Sequence, residues 1–130
     1  MTQDDTPAPD GRLRVLIVDD SRDDAELTEL ALLDAGMAID VRLVHGEAGL
    51  CEALHAFAPQ IVLSDVNLPG FSGAEALELT RALRPGVPVV FLTGSVMGLP
   101  GEVLPVGDGL VYKDALDQLP DTVRQVLPTL

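Results

Sequence analysis

The chain has no tryptophan, one tyrosine, one cysteine and one lysine. With aromatics at 3% of 130 residues, it lacks the stacking platforms that proteins use to hold single-stranded bases. A lone Cys51 cannot close an internal disulfide and reads as a small apolar residue of a helix. A reducing, cytoplasmic setting follows. No apolar run reaches the roughly 18–20 residues that span a bilayer, and the polar, acidic start at Met1–Asp10 lacks the basic and apolar regions of a secretion signal. Positive charge is scarce too. Eight Lys and Arg stand against 21 Asp and Glu, for a net charge of −13, which repels nucleic acid and disfavours it as a partner.

What is present is an alternation of short β-branched runs with amphipathic stretches. Residues 1–12 read as a disordered tail and 13–130 as one domain, with no linker to a second. Strands are predicted at Leu13–Val18, Ala38–Val44, Ile61–Ser64, Val87–Leu92 and Leu110–Tyr112. Helices are predicted at Asp23–Ala35, with Leu27, Leu30 and Ala31 as its apolar residues, at Gly46–Phe57, at Ser72–Arg84 and at Pro120–Leu127. Asn67-Leu68-Pro69-Gly70 is turn chemistry. The segment 94–109 should hold a fourth helix, but its prolines and glycines predict a short or distorted one, or a loop.

Repeated strand–helix units with short connections imply a parallel sheet covered on both faces, whose binding crevice lies beyond the carboxyl ends of the strands. Asp19 and Asp20 follow the first strand, Asp65 the third, Thr93 the fourth and Lys113 the fifth. Each has an ordinary reading by itself: Asp19 or Asp20 as a helix cap, Asp65 as a turn residue, Thr93 as a strand residue, Lys113 as a solvated charge. Together they form a chemical set. Converging carboxylates repel one another, and a hard divalent cation such as Mg²⁺ relieves that repulsion. A carboxylate can attack phosphorus, and a lysine and a hydroxyl can neutralise the phosphoryl oxygens. His45 and His55 have no partners at metal-ligand spacing and read as ordinary core or surface residues.

The ordered set Val18-Asp19-Asp20-Ser21, Ser64-Asp65-Val66-Asn67-Leu68-Pro69-Gly70 with Ser72-Gly73, Leu92-Thr93-Gly94 and Lys113 resembles the receiver domain of two-component response regulators, from Leu13 to about Leu127. That resemblance implies a flavodoxin-like (βα)5 fold with strand order 2-1-3-4-5. It implies that Asp65 accepts a phosphoryl group from a histidine kinase or phosphotransfer protein, and that Mg²⁺ is held by Asp19, Asp20, Asp65 and the Asn67 backbone carbonyl. Thr93 and Lys113 would contact the phosphoryl group, and Pro69 and Gly70 would shape the loop behind it. Ser95 and Asn67 would flank the path of attacking water. The output would be a changed surface offered to a downstream protein, by a monomer or homodimer, rather than metabolic turnover.

Three features depart from the family pattern. Asp114 follows the lysine where the family usually has proline. Leu110 takes the usual place of an aromatic switch residue, with Tyr112 on the same strand face as a substitute. The fourth helix is degenerate. They motivate an alternative reading, a receiver that has lost its switch and serves as a phosphorylation-independent binding or dimerisation module. A phosphatase is disfavoured, because Asn67 stands two residues after Asp65, where an acid would be needed.

Overall fold

The computed structural model describes residues 12–68, 70–94 and 107–127. The expectations for the N-terminal tail, Pro69, Ser95 and the distorted fourth helix fall largely or wholly on residues outside these segments. The described elements run β1 (Leu13–Val18), α1 (Arg22–Asp34), β2 (Ile39–Val44), α2 (Glu47–Ala56) and β3 (Ile61–Asp65). They continue with β4 (Asn67–Leu68), β5 (Phe71–Ser72), α3 (Gly73–Leu83), β6 (Val89–Thr93), β7 (Gly109–Tyr112), a 3₁₀ turn at Lys113–Gln118 and α4 (Leu119–Val126).

Five strands form one sheet in the order β2-β1-β3-β6-β7, with every neighbouring pair parallel. Counting only these five, the order is the expected 2-1-3-4-5. β4 and β5 form a separate antiparallel ribbon, where the sequence predicted only a turn, and Gly70 at φ 68° makes its reversal. That φ is reached without strain by glycine.

The three central strands β1, β3 and β6 are apolar on both faces and read as nearly continuous hydrophobic runs, whereas β2 at the edge alternates. Val15, Ile17, Leu63, Val90 and Leu92 pack on one side with Ala25 and Leu32 of α1 and with Leu119 and Val123 of α4. Leu16, Val18, Val62, Val89 and Phe91 pack on the other with Leu50, Ala53 and Leu54 of α2 and Ala76 of α3. Ser21 caps α1 by accepting from the Asp24 amide, and Ser72 with Glu75 forms a reciprocal capping box on α3. Asp19 and Asp20 are therefore not the caps of α1.

α1 departs from its predicted face. Ala25, Thr28 and Leu32 are its buried residues, whereas Leu27 and Leu30 are 56% and 50% exposed. The helix carries leucines on more than one side, so hydrophobicity alone did not select the stripe that meets the sheet.

Gly107 enters β7 against the Phe91 ring. A Cβ at that position would lie 2.8 Å from the ring and 2.9 Å from the Val89 carbonyl oxygen. Gly107→Ala is expected to destabilise the chain by about 1–3 kcal/mol, as overpacking does, with a matching fall in the urea midpoint at unchanged m-value.

Candidate functional site

The chain runs from β1 outward to β2 and returns past β1 to β3, so the strand order reverses at the carboxyl ends of β1 and β3. Register places Val18 beside Ser64, Asp65 beside Leu92 and Thr93 beside Tyr112. The sequence-predicted residues Asp19, Asp65, Thr93 and Lys113 thus end neighbouring strands on one rim, as expected for a crevice at a topological switch point.

Carboxylate oxygens of Asp19, Asp20 and Asp65 lie within 4.8 Å of one another. Asp19 is buried, Asp65 half-buried and Asp20 exposed. The Lys113 ammonium donates to Asp24 Oδ2 at 2.9 Å, to Asp19 Oδ2 at 3.0 Å and to Asp65 Oδ2 at 3.1 Å. Burial works to lower the Lys113 pKa, but hydrogen bonds to Asp24, Asp19 and Asp65 outweigh it and hold the ammonium above the ordinary lysine range.

Asp19 shifts in the direction that burial dictates. Desolvation raises its carboxyl above the ordinary 3.8, against the lowering effects of the Ser21 amide and Lys113, and the neighbouring Asp65 raises it further. The Ser21 amide donates to Asp19 Oδ1 at 2.9 Å, and His45 Nδ1 lies 3.1 Å from the Asp19 carbonyl oxygen. On the other side, Ser64 Oγ donates to the Asp65 carbonyl, and the Val66 amide bonds Leu92, which fixes the backbone around the third carboxylate.

Asn67 lies two residues past Asp65 at the start of β4. Thr93 is 2% exposed at the end of β6. Tyr112 is half-buried beside it in register, while Leu110 pairs with Phe91 and is 38% exposed. Asp24 is the participant that the sequence reading missed. An aspartate in the first turn of a helix has an ordinary role as a charge complementing the helix dipole, and the available signal was its place one helical turn beyond Asp20, at the same end of the sheet.

The three carboxylates suit a hard divalent cation: they are oxygen donors, close enough to share an ion, and one carries an unfavourable buried charge.

The described residues thus form a doubly wound parallel sheet with an acidic, lysine-bridged crevice at its switch point. The chain belongs to the response regulator receiver domain family, whose family model matches residues 15–107. Receiver domains are modules of two-component signalling rather than metabolic enzymes. The chain is similar to the DNA-binding response regulator MtrA of Mycobacterium tuberculosis (strain ATCC 25618 / H37Rv), at 34% identity over 82 residues, covering 63% of this chain and 35% of that protein. It is also similar to the protein-glutamate methylesterase/protein-glutamine glutaminase 6 of Anaeromyxobacter dehalogenans (strain 2CP-C), at 42% identity over 84 residues, covering 62% of this chain and 23% of that protein. The matches thus span about a third or less of these relatives' length. A receiver domain protein of Methanospirillum hungatei JF-1 superposes with a TM-score of 0.74 at 25% identity, covering 89% of this chain and 94% of that one. A response regulator structure from Chloroflexus aurantiacus J-10-fl gives 0.74 at 25% identity, covering 89% and 98%.

The raised Asp19 carboxyl fixes the sign of one pH effect. In metal-free protein the folded chain protonates Asp19 before the unfolded one does, so the Asp19 contribution to stability rises as pH falls from neutral towards 3.8. Asp19→Asn is expected to flatten that rise in pH-dependent urea unfolding. At neutral pH, Mg²⁺ at roughly a hundredfold excess over its dissociation constant should stabilise the wild type by about 3 kcal/mol. Asp19→Asn and Asp20→Asn should lose most of that gain, read as the shift in thermal midpoint.

Proposed function

We propose that Asp65 accepts a phosphoryl group from the phosphohistidine of a histidine kinase or phosphotransfer protein in a cytoplasmic setting. The observation that carries this reading is the Lys113 ammonium, 3.1 Å from an Asp65 oxygen within a group of three converging carboxylates. In the transfer, an Asp65 carboxylate oxygen forms the new P–O bond as the P–N bond to the donor imidazole breaks. The imidazole leaves with the electron pair and takes a proton from solvent. Asp19, Asp20, Asp65 and the Asn67 carbonyl would hold Mg²⁺, which would supply charge neutralisation at the phosphoryl oxygens. Lys113 pairs with a phosphoryl oxygen and holds it in line, and the Thr93 hydroxyl donates to another. The net charge of −13 and the family's signalling role support a downstream protein partner rather than nucleic acid.

The aromatic part of the switch falls to Tyr112 in this reading. It shares a sheet face with Leu110 and sits beside Thr93 in register, so a movement of Thr93 towards the phosphoryl group opens space next to the Tyr112 ring.

Incubation with Mg²⁺ and a small acyl phosphate should add the mass of one phosphoryl group, and Asp65→Asn or EDTA should prevent it. No gain in folded, metal-bound wild type would favour the phosphorylation-independent binding module. Because Tyr112 is the sole tyrosine and there is no tryptophan, intrinsic fluorescence reports this residue alone. Phosphorylation should change that emission in the wild type, whereas Thr93→Ala should still be phosphorylated, more slowly, with the emission unchanged.

A further inference from the structure

Asp24 is the acceptor on Lys113 for which the transfer chemistry has no use. An ammonium has three donors and no acceptor, and those of Lys113 are met by Asp24, Asp19 and Asp65. Two of these carboxylates, Asp19 and Asp65, belong with Asp20 to the group that suits a divalent cation. Asp24 stands outside that group, yet it makes the shortest of the three bonds, at 2.9 Å.

We infer that Asp24 is a positioning residue that keeps Lys113 at the phosphoacceptor when a divalent cation is held by Asp19, Asp20 and Asp65. The inference rests on the phosphoacceptor reading and deepens it. A cation shared by Asp19 and Asp65 takes up the negative charge that attracts the lysine and repels its ammonium directly. Of its three described carboxylate partners, Asp24 alone then offers Lys113 an undivided carboxylate.

The local structure frees it for this task. The Asp24 amide donates to Ser21 Oγ at 3.2 Å, and its carbonyl accepts from Thr28 Oγ1 at 3.0 Å, so its backbone is fixed at both ends. An acidic side chain three residues after a serine cap would ordinarily reach back to the amide of that serine. Here Asp19 Oδ1 takes that amide at 2.9 Å, and the Asp24 carboxylate extends to the lysine instead. The first turn of α1 is thereby tied to the group that contacts the phosphoryl oxygen.

Because Lys113 is the only lysine, selective ¹³C,¹⁵N-lysine labelling gives one side-chain ammonium signal, which persists only while the ammonium is held in place. The signal should survive a Mg²⁺ titration in the wild type and in Asp24→Glu. In Asp24→Asn it should be present without metal and vanish on saturation with Mg²⁺. Its persistence in Mg²⁺-saturated Asp24→Asn would overturn the inference. So would its absence from metal-free Asp24→Asn, which would make Asp24 a general prop, or a wild-type spectrum that does not respond to Mg²⁺. If Asp24→Asn does not fold, the wild type still decides: a nuclear Overhauser contact between the Lys113 ε-protons and the Asp24 β-protons must remain at saturating Mg²⁺, and its loss overturns the proposal. No phosphoryl donor enters these measurements. A wild type that fails to gain a phosphoryl group therefore defeats the phosphoacceptor reading separately.

Discussion

One ammonium holds together the carboxyl edge of this sheet. Lys113 bonds carboxylates that lie 94, 89 and 48 residues away in sequence, one each from the ends of β1 and β3 and one from the first turn of α1. Its side chain is 16% exposed, and those of Asp19 and Asp65 are 1% and 14% exposed, so solvent screens these pairs poorly. Stranding such a group by removing its partner typically costs about 3–5 kcal/mol. Asp24, with 41% of its side chain exposed, is the weaker electrostatic partner despite its short bond.

That arrangement presupposes the sheet. Convergence of Asp19, Asp65, Thr93 and Lys113 requires every strand to run in the same direction, and the parallel direction in turn requires helical crossovers on both faces. The alternation seen along β1 shows how completely this is met, because Val15 and Ile17 serve one core while Leu16 and Val18 serve the other. Both cores end at the rim, where the last apolar residue, Val18, gives way at once to the buried charge of Asp19. The burial that raises the Asp19 carboxyl falls at the end of the strand that both cores secure, so the demand for a counter-charge accompanies the packing.

The rim was legible in the sequence because it follows from short-range signals, namely β-branched runs, their spacing and a polar residue at each strand end, whereas the strand order was implied by the family resemblance. The β6 prediction of Val87–Leu92 differs from Val89–Thr93 by the small shift that fraying ends produce. The contacts that needed three-dimensional information were not legible. The two-residue pairs of β4 and β5 are too short to show periodicity, and the 3₁₀ turn after Lys113 has no buried residue to mark a face. Leu27 and Leu30 attracted the helical reading because leucine is apolar, yet the smaller Ala25 and the hydroxyl-bearing Thr28 lie against the sheet, where Thr28 satisfies its own hydroxyl on the Asp24 carbonyl. Asp24 has the residue type of a dipole charge, and only the fold brings it to Lys113.

Thr93 and Tyr112 show how much of a switch can be argued from register alone. Parallel pairing puts both on the α2–α3 side of the sheet, as Phe91 and Leu110 are one step earlier. On that side Phe91 is fully buried and closely approached by Gly73 and Gly107, so the strand has no slack below Thr93. In the proposed switch, a movement of Thr93 is taken up at the rim beside the half-buried Tyr112 rather than transmitted down through the close-packed core. Leu110, in register with Phe91 on the same side, is 38% exposed, so the two candidates differ in their register with Thr93 rather than in closeness of packing. In the proposed switch it is this register beside Thr93 that singles out the aromatic residue, Tyr112, over Leu110.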